Sequence, residues 1–162
     1  MKYRVIKDTR EQLGWDFAPS SRCLGTSLGT LKTGDYTLEG FEDSFVIERK
    51  RNMGEFSANL TQKRWLKELD RLDEFAHAYL FLEFTWDDIL EFPRGSGIPP
   101  FKWKYLKVRA DFLAKTFLEL QLAHPTLRVH FVGGRGKDVA TSLFKRIFEH
   151  SHGGLDVSLS DG

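Results

Sequence analysis

The sequence predicts an α/β fold in which a mixed β-sheet is covered by helices. An antiparallel hairpin opens it, and helical crossovers join the later strands. Three observations carry this. Apolar runs of strand length, ending near residues 8, 38, 51, 84 and 132, alternate with stretches of helical periodicity. Glycine, proline and serine clusters punctuate the borders. A chain of 162 residues with 41% hydrophobic content, 14 Phe and 4 Trp can fill one sizeable core, which excludes a disordered protein.

Each element has its own justification. Residues 3–8 alternate, with Tyr3, Val5 and the Lys7 stem on one face, and form a strand. A polar connection follows, and residues 18–30, with Pro, Ser and Gly, read as loop or a short irregular helix. Residues 31–38 and 45–51 are strand-like, and the turn region from Glu39-Gly40 to Asp43-Ser44 makes them a hairpin. From Phe56 to Ala76, the residues Phe56, Leu60, Leu66, Leu69, Leu72 and Phe75 recur near helical spacing. Lys63, Arg64, Lys67, Glu68, Arg71 and Asp73 fill the other side, which predicts one long helix. Residues 78–84 form a continuous apolar run, short enough for a buried strand.

Residues 87–92 predict a short helix stopped by Pro93, with a loop over 94–100. Leu106, Ala110, Leu113, Phe117 and Leu120 predict a second long helix, ended by Pro125. Residues 127–132 are another strand. Gly133-Gly134-Arg135-Gly136-Lys137 then opens a last helix. Residues 1–150 are expected to form one domain, and residues 151–162 a flexible tail.

The totals limit function. A net charge of +1 gives no global positive field, so any nucleic-acid surface must be local. One cysteine, Cys23, makes no internal disulfide, fits a reducing compartment and is expected to be a small buried hydrophobe. No run reaches membrane-spanning length, and the charged, alternating N-terminus is not a signal peptide. A cytoplasmic or nucleoid-associated protein is expected. The five histidines show no convincing ligand spacing, and GGRGKD lacks the Walker spacing.

The chemistry concentrates in residues 34–50, GDYTLEGFEDSFVIERK. Side chains alternate along a strand, so Glu48 and Lys50 share one face while Arg49 points the other way. Across the hairpin, Asp35 can reach Glu48. Two carboxylates from adjacent strands suit Mg²⁺ or Mn²⁺, which takes one or two carboxylates plus water and phosphate oxygens. Lys50 can hold or deprotonate an attacking water. The bland alternative is a solvated Glu–Lys strand end beside an ordinary Gly-Asp turn, and spacing alone leaves both open.

Together these stretches resemble the XPF-type (Hef-like) nuclease domain, a branch of the PD-(D/E)xK nuclease superfamily. The matches are VIKDTRE at 5–11, LKTGDY at 31–36, VIERK at 46–50, AYLFLEF at 78–84, HPTLRV at 124–129 and the last helix. They cover roughly residues 3 to 149. The resemblance implies a restriction-endonuclease-like fold, a central mixed β-sheet flanked by helices. It implies hydrolysis of DNA phosphodiesters with Mg²⁺ or Mn²⁺, often at flapped, forked or branched DNA in repair or recombination, and a homodimer.

By position, it makes Asp35 and Glu48 metal ligands, Lys50 the catalytic lysine and Arg49 a supporting or DNA-contacting residue. Asp8, Arg10 and Glu11 are placed at the edge of the site. The family usually has an acid four positions after the lysine, where this chain has Gly54; Glu55 follows and either substitutes for it or serves the helix start. Many members add paired helix–hairpin–helix motifs, which these residues lack. That predicts a standalone domain of bacterial, archaeal or phage type.

Further DNA contacts are expected from Lys63 and Arg64 on the first long helix, Lys102 and Lys104 interleaved with aromatic residues, and Arg135 and Lys137 at the last helix start. Each has an ordinary alternative as solvated charge. Two other functions stay open. One is a catalytically silent DNA-binding scaffold; the other is a dimerisation subunit, which an exposed apolar stripe at Phe144 and Phe148 would mark.

Overall fold

The computed structural model describes residues 1–153. Six strands form one mixed sheet in the order β2-β1-β3-β4-β5-β6. They are β1 (Tyr3–Asp8), β2 (Cys23–Gly29), β3 (Tyr36–Leu38), β4 (Phe45–Lys50), β5 (His77–Leu82) and β6 (Arg128–Phe131). β3 is antiparallel to both β1 and β4, whereas β4, β5 and β6 run parallel. The crossover from β4 to β5 carries α1 (Met53–Leu60) and α2 (Lys63–Leu72). The next carries α3 (Trp86–Leu90) and α4 (Ala110–Ala123), and α5 (Gly136–Gly153) closes the described chain.

The alternation of β4 organises both cores. Phe45 and Ile47 turn to a core with Tyr36, Phe81, Ala140 and Phe144 under α5. Val46 turns to the other, with Phe56, Trp65, Leu69 and Phe117 under α1, α2 and α4. β4 is therefore buried on both faces, as parallel strands flanked by helices are. Truncating a fully buried ring such as Phe117 to Ala would cost about 3–5 kcal/mol. By the same alternation, Glu48 and Lys50 continue the Val46 face toward α2, and Arg49 continues the Ile47 face.

Several expectations change. Residues 23–29 are not loop but edge strand β2, parallel to β1. Its two glycines and exposed Leu24 and Leu28 hide the alternation. Only residues 36–38 of the expected 31–38 strand pair as β3, because Gly34 turns the chain at φ +85°. The long helix splits at Thr61-Gln62, and the buried stripe of α2 is Trp65, Leu69 and Leu72, with Leu66 exposed. α4 starts at Ala110 rather than Leu106. α5 runs to Gly153, past the expected start of the tail; residues 154–162 lie outside the described residues. Phe144 is fully buried and Phe148 packs on the core, so they present no exposed stripe. Cys23 is buried. No helix among the described residues is long and apolar enough to cross a membrane.

Candidate active site

Asp35 reaches its place because Gly34 adopts a positive φ and lies against Val46, where a side chain would collide. The Asp35 amide donates to Ile47 O at 2.8 Å, extending the β3–β4 ladder by one step. Its Oδ2 accepts from the Arg49 amide at 2.7 Å. One residue earlier on β4, Glu48 is buried, and Lys50 Nζ lies 3.2 Å from Glu48 Oε1. The expected pair thus forms on one face, with Asp35 beside it.

The geometry brings in Glu68, which the sequence placed only on the polar side of a helix, and Trp65, to which the sequence reading gave no place. Glu68 of α2 lines the same cavity as Glu48, and its charge pushes the Glu48 carboxyl further up. Trp65 lays its ring under Lys50, 4.4 Å from Nζ. The signal was the phase of α2. With the buried stripe at 65, 69 and 72, residues 64, 68 and 71 form the neighbouring stripe, and all three line the cavity.

This cavity, about 350 Å³, is lined by Asp35, Glu48, Lys50 and Glu68 together with Arg10, Lys32, Arg64 and Arg71 among others. A second, of about 180 Å³, opens on Asp35 and Glu48 from the side of Glu11, Arg49, Arg51 and Glu55. Four buried polar atoms lack partners among the described residues: Thr33 Oγ1, Asn59 Oδ1, Trp65 Nε1 and Arg49 Nε. Each belongs to a residue lining one of these cavities. Unsatisfied polar atoms gathered at one place point to a polar occupant.

Electrostatics agree. Burial, and next the Glu11 charge, push Asp35 up to about 7, against the Arg49 amide and Lys50. Burial and then the Asp35 charge hold Glu48 well above the carboxylate range. Burial alone would lower Lys50, but Glu48 and Glu68 raise it, so it stays an ammonium. The carboxyls are crowded beyond what one lysine neutralises, and they present hard oxygens. That set fits a divalent cation such as Mg²⁺ or Mn²⁺ held by Asp35 and Glu48, with waters and phosphate oxygens completing the shell.

The remaining expected residues sort by position. Burial would raise Asp8, yet hydrogen bonds from Arg10 and the Leu31 amide hold it low. It braces the cavity edge. Arg49 faces away from Glu48, with its guanidinium 4.3 Å from the Trp15 ring and bonded to Glu83 and Leu13 O. Gly54 sits where Ser96 O and Ile98 leave no room for a side chain, which accounts for the missing acid. Glu55 lines both cavities and accepts from the Arg51 amide at 3.0 Å. Arg64 lines the cavity but Lys63 does not. Lys102 and Lys104 lie outside it. Arg135 pairs with Asp138 and Lys137 lies over Phe17, also away from the cavity.

The structure also gathers Asp70, Asp73 and His124, whose ligand atoms all lie within 4.8 Å of one another. It is the one such group of three among the described residues; Asp35, Glu48 and Glu68 are not mutually that close.

No protein-family model matches the chain, and no curated protein matches it. Solved structures do. XPF from Aeropyrum pernix superposes with a TM-score of 0.58 at 20% identity, over 90% of this chain and 65% of that one. XPF from Aeropyrum pernix in complex with DNA gives 0.57 at 19% identity, over 93% of this chain and 66% of that one. The chain therefore spans somewhat less than two thirds of that protein's length. Its mixed six-stranded sheet with flanking helices is the XPF-type fold that the sequence resemblance implies.

Proposed function

We propose that this chain is a metal-dependent DNA endonuclease that cuts flapped, forked or branched DNA, with Mg²⁺ or Mn²⁺ as cofactor. The observation that carries the reading is the cavity at the end of β4, lined by Asp35, Glu48 and Lys50 together with the cations Arg10, Lys32, Arg64 and Arg71. The likeness to a fold solved in complex with DNA supports it.

In this reading Asp35 and Glu48 hold the cation, and Glu68 backs Glu48. When bound, the cation stabilises charge on the phosphate and acidifies the attacking water. Lys50, kept charged by Glu48 and Glu68, orients that water and the phosphate by its positive charge. Arg49 fixes Asp35 through its backbone amide. Arg10, Lys32, Arg64 and Arg71 hold flanking phosphates. The water oxygen forms one P–O bond and the ester P–O bond breaks, leaving a phosphate monoester and a free hydroxyl. The reading includes a homodimer, checked by light scattering, and a cytoplasmic or nucleoid-associated setting.

The test is cleavage of flap, fork, junction, single-stranded and duplex DNA with Mg²⁺ or Mn²⁺. Flap or fork DNA should be cut fastest, and EDTA should stop it. A folded protein that cuts none of these substrates leaves only the silent scaffold.

A further inference from the structure

From Phe92 to Ala110 the chain carries Arg94, Lys102, Lys104, Lys107 and Arg109 and no acidic residue, although the whole chain has a net charge of +1. Sequence leaves open whether the aromatic residues of this stretch pack inward or face solvent. The structure decides it residue by residue. Pro100–Tyr105 forms a 3₁₀ turn. Trp103 turns inward, and its Nε1 donates to Ile98 O at 2.9 Å. Phe101 and Tyr105 turn outward, each 71% exposed. Lys102 Nζ lies 5.8 Å from the Phe101 ring centre and Lys104 Nζ 5.1 Å from that of Tyr105. Two bare rings therefore stand among cations; Arg109 has a carboxylate beside it, Asp111 at 3.7 Å, and no ion pair forms at Lys102, Lys104 or Lys107 among the described residues. A groove of about 610 Å³ lies along the inward side of the same segment, lined by Leu90, Phe92, Trp103, Leu106, Arg109 and Asp111 among others.

The position of this segment is also fixed. The preceding loop packs on the start of α1: the Gly54 amide donates to Ser96 O at 3.0 Å, and Asn52 lies against Gly97. Asn52 is two residues beyond Lys50. The glycine that replaces the usual acid thus helps tie the loop leading into the cationic segment to the start of the helix that follows Lys50.

We propose that Phe101–Arg109 is a second nucleic-acid site that binds an unpaired DNA strand. Bases stack on Phe101 and Tyr105, and Lys102, Lys104, Lys107 and Arg109 hold the phosphates. An unpaired strand is the occupant because a duplex keeps its base faces stacked on one another and closed to side-chain rings. The row of cations selects a polyanion. The site's purpose, to hold a single-stranded arm next to the cutting centre, rests on the nuclease reading; its binding chemistry does not.

Fluorescence anisotropy tests it, with labelled single-stranded DNA and the duplex of the same sequence, in EDTA so that nothing is cut. Phe101→Ala and Tyr105→Ala should each weaken single-strand binding by about tenfold, with duplex binding changed by less than about twofold. The double variant Lys102→Ala with Lys104→Ala should reduce the slope of log affinity against log salt by about 1.4. All four side chains are exposed, and an unchanged melting temperature verifies the fold of each variant. The proposal is overturned if the wild type binds no single strand, if the ring variants bind it as well as the wild type, or if they lose duplex binding equally. Loss of cleavage is read separately in Glu48→Gln, which should keep single-strand binding. A protein that binds single strands through the rings yet cuts no DNA would retain this site and lose the nuclease reading.

Discussion

Two carboxylate groups in this molecule behave in opposite ways. Asp70, Asp73 and His124 gather where α2 ends and α4 closes, and their ligand atoms are the closest set of three among the described residues. Asp35, Glu48 and Glu68 are more widely spread. By separation alone the first group is the better metal site. Yet Asp70 and Asp73 are exposed, and His124 Nδ1 already lies 2.5 Å from Asp73 Oδ2. Hydrated carboxylates with a partner gain little from an ion. Glu48 has no such escape: it is buried, pressed against like charges, and neutralised by one lysine. Enclosure with unsatisfied charge, rather than proximity, is the ground for proposing the second group as the ligand set.

The sharpest way to break this comparison is one isosteric change in each group. Glu48→Gln should lower Mg²⁺- or Mn²⁺-dependent cleavage by at least about 1,000-fold, because the stabilisation at stake is several kcal/mol. Calorimetric titration with Mn²⁺ should lose its binding event in that variant. Asp73→Asn should leave both cleavage and the titration intact. If Asp73→Asn removes Mn²⁺ binding and Glu48→Gln does not, the two groups have been ranked the wrong way round.

Lys50→Ala separates holding the ion from using it. Cleavage should fall by about 100-fold or more, the range for a positioned proton-handling or charged group. Mn²⁺ affinity should not fall, since Lys50 competes with the ion for Glu48. A collapse of metal affinity in this variant would remove Lys50 from the proposed role. Glu68→Gln should act more weakly still. Mn²⁺ affinity should drop by about tenfold, as when an outer partner of a ligand is lost. The metal-free protein should melt higher, because one like charge next to Glu48 is gone. Equal melting temperatures would mean that Glu68 does not crowd the site.

Much of this was legible in the sequence, for reasons that also explain what was not. β4 was clear because period-two alternation assigns Glu48 and Lys50 to one face whatever surrounds them. Asp35 followed from a hairpin turn that local residues specify. Glu68 was hidden by tertiary phase. Leu66 is as hydrophobic as a core residue and Trp65 as plausible at a surface, so the helical stripe could be drawn one residue out of register, and Glu68 then looked like ordinary solvated charge. β2 was hidden because an edge strand has only one neighbour to satisfy, and CLGTSLG needs no strict apolar alternation for that. The Asp70–Asp73–His124 group spans two elements distant in sequence, and no local spacing announces it. Gly54 was visible as a departure, but its reason, the carbonyl of Ser96 against it, exists only in the folded chain.

The gentlest test asks whether Asp35 truly differs from a surface carboxylate, and pH supplies it. In the folded protein its carboxyl keeps a proton up to about pH 7, first because of burial and then because of the Glu11 charge. In the unfolded chain it ionises near 3.8. Between those values the folded state binds more protons, so stability falls as pH rises through that window. Asparagine cannot ionise. The stability of Asp35→Asn relative to wild type, read from urea unfolding in EDTA, should therefore grow from about pH 5 to about pH 8, by on the order of 1 kcal/mol once water access to the cavity is allowed for. His77 and His130, both lowered mainly by burial, act in the opposite direction, but they are common to both chains and cancel in the difference. Saturating Mn²⁺ should abolish the wild type's disadvantage at high pH, since the ion favours the ionised carboxylate. A flat difference at Asp35 would mean that its carboxylate is as comfortable as one on the surface, and that the contrast between the two groups is one of distance alone.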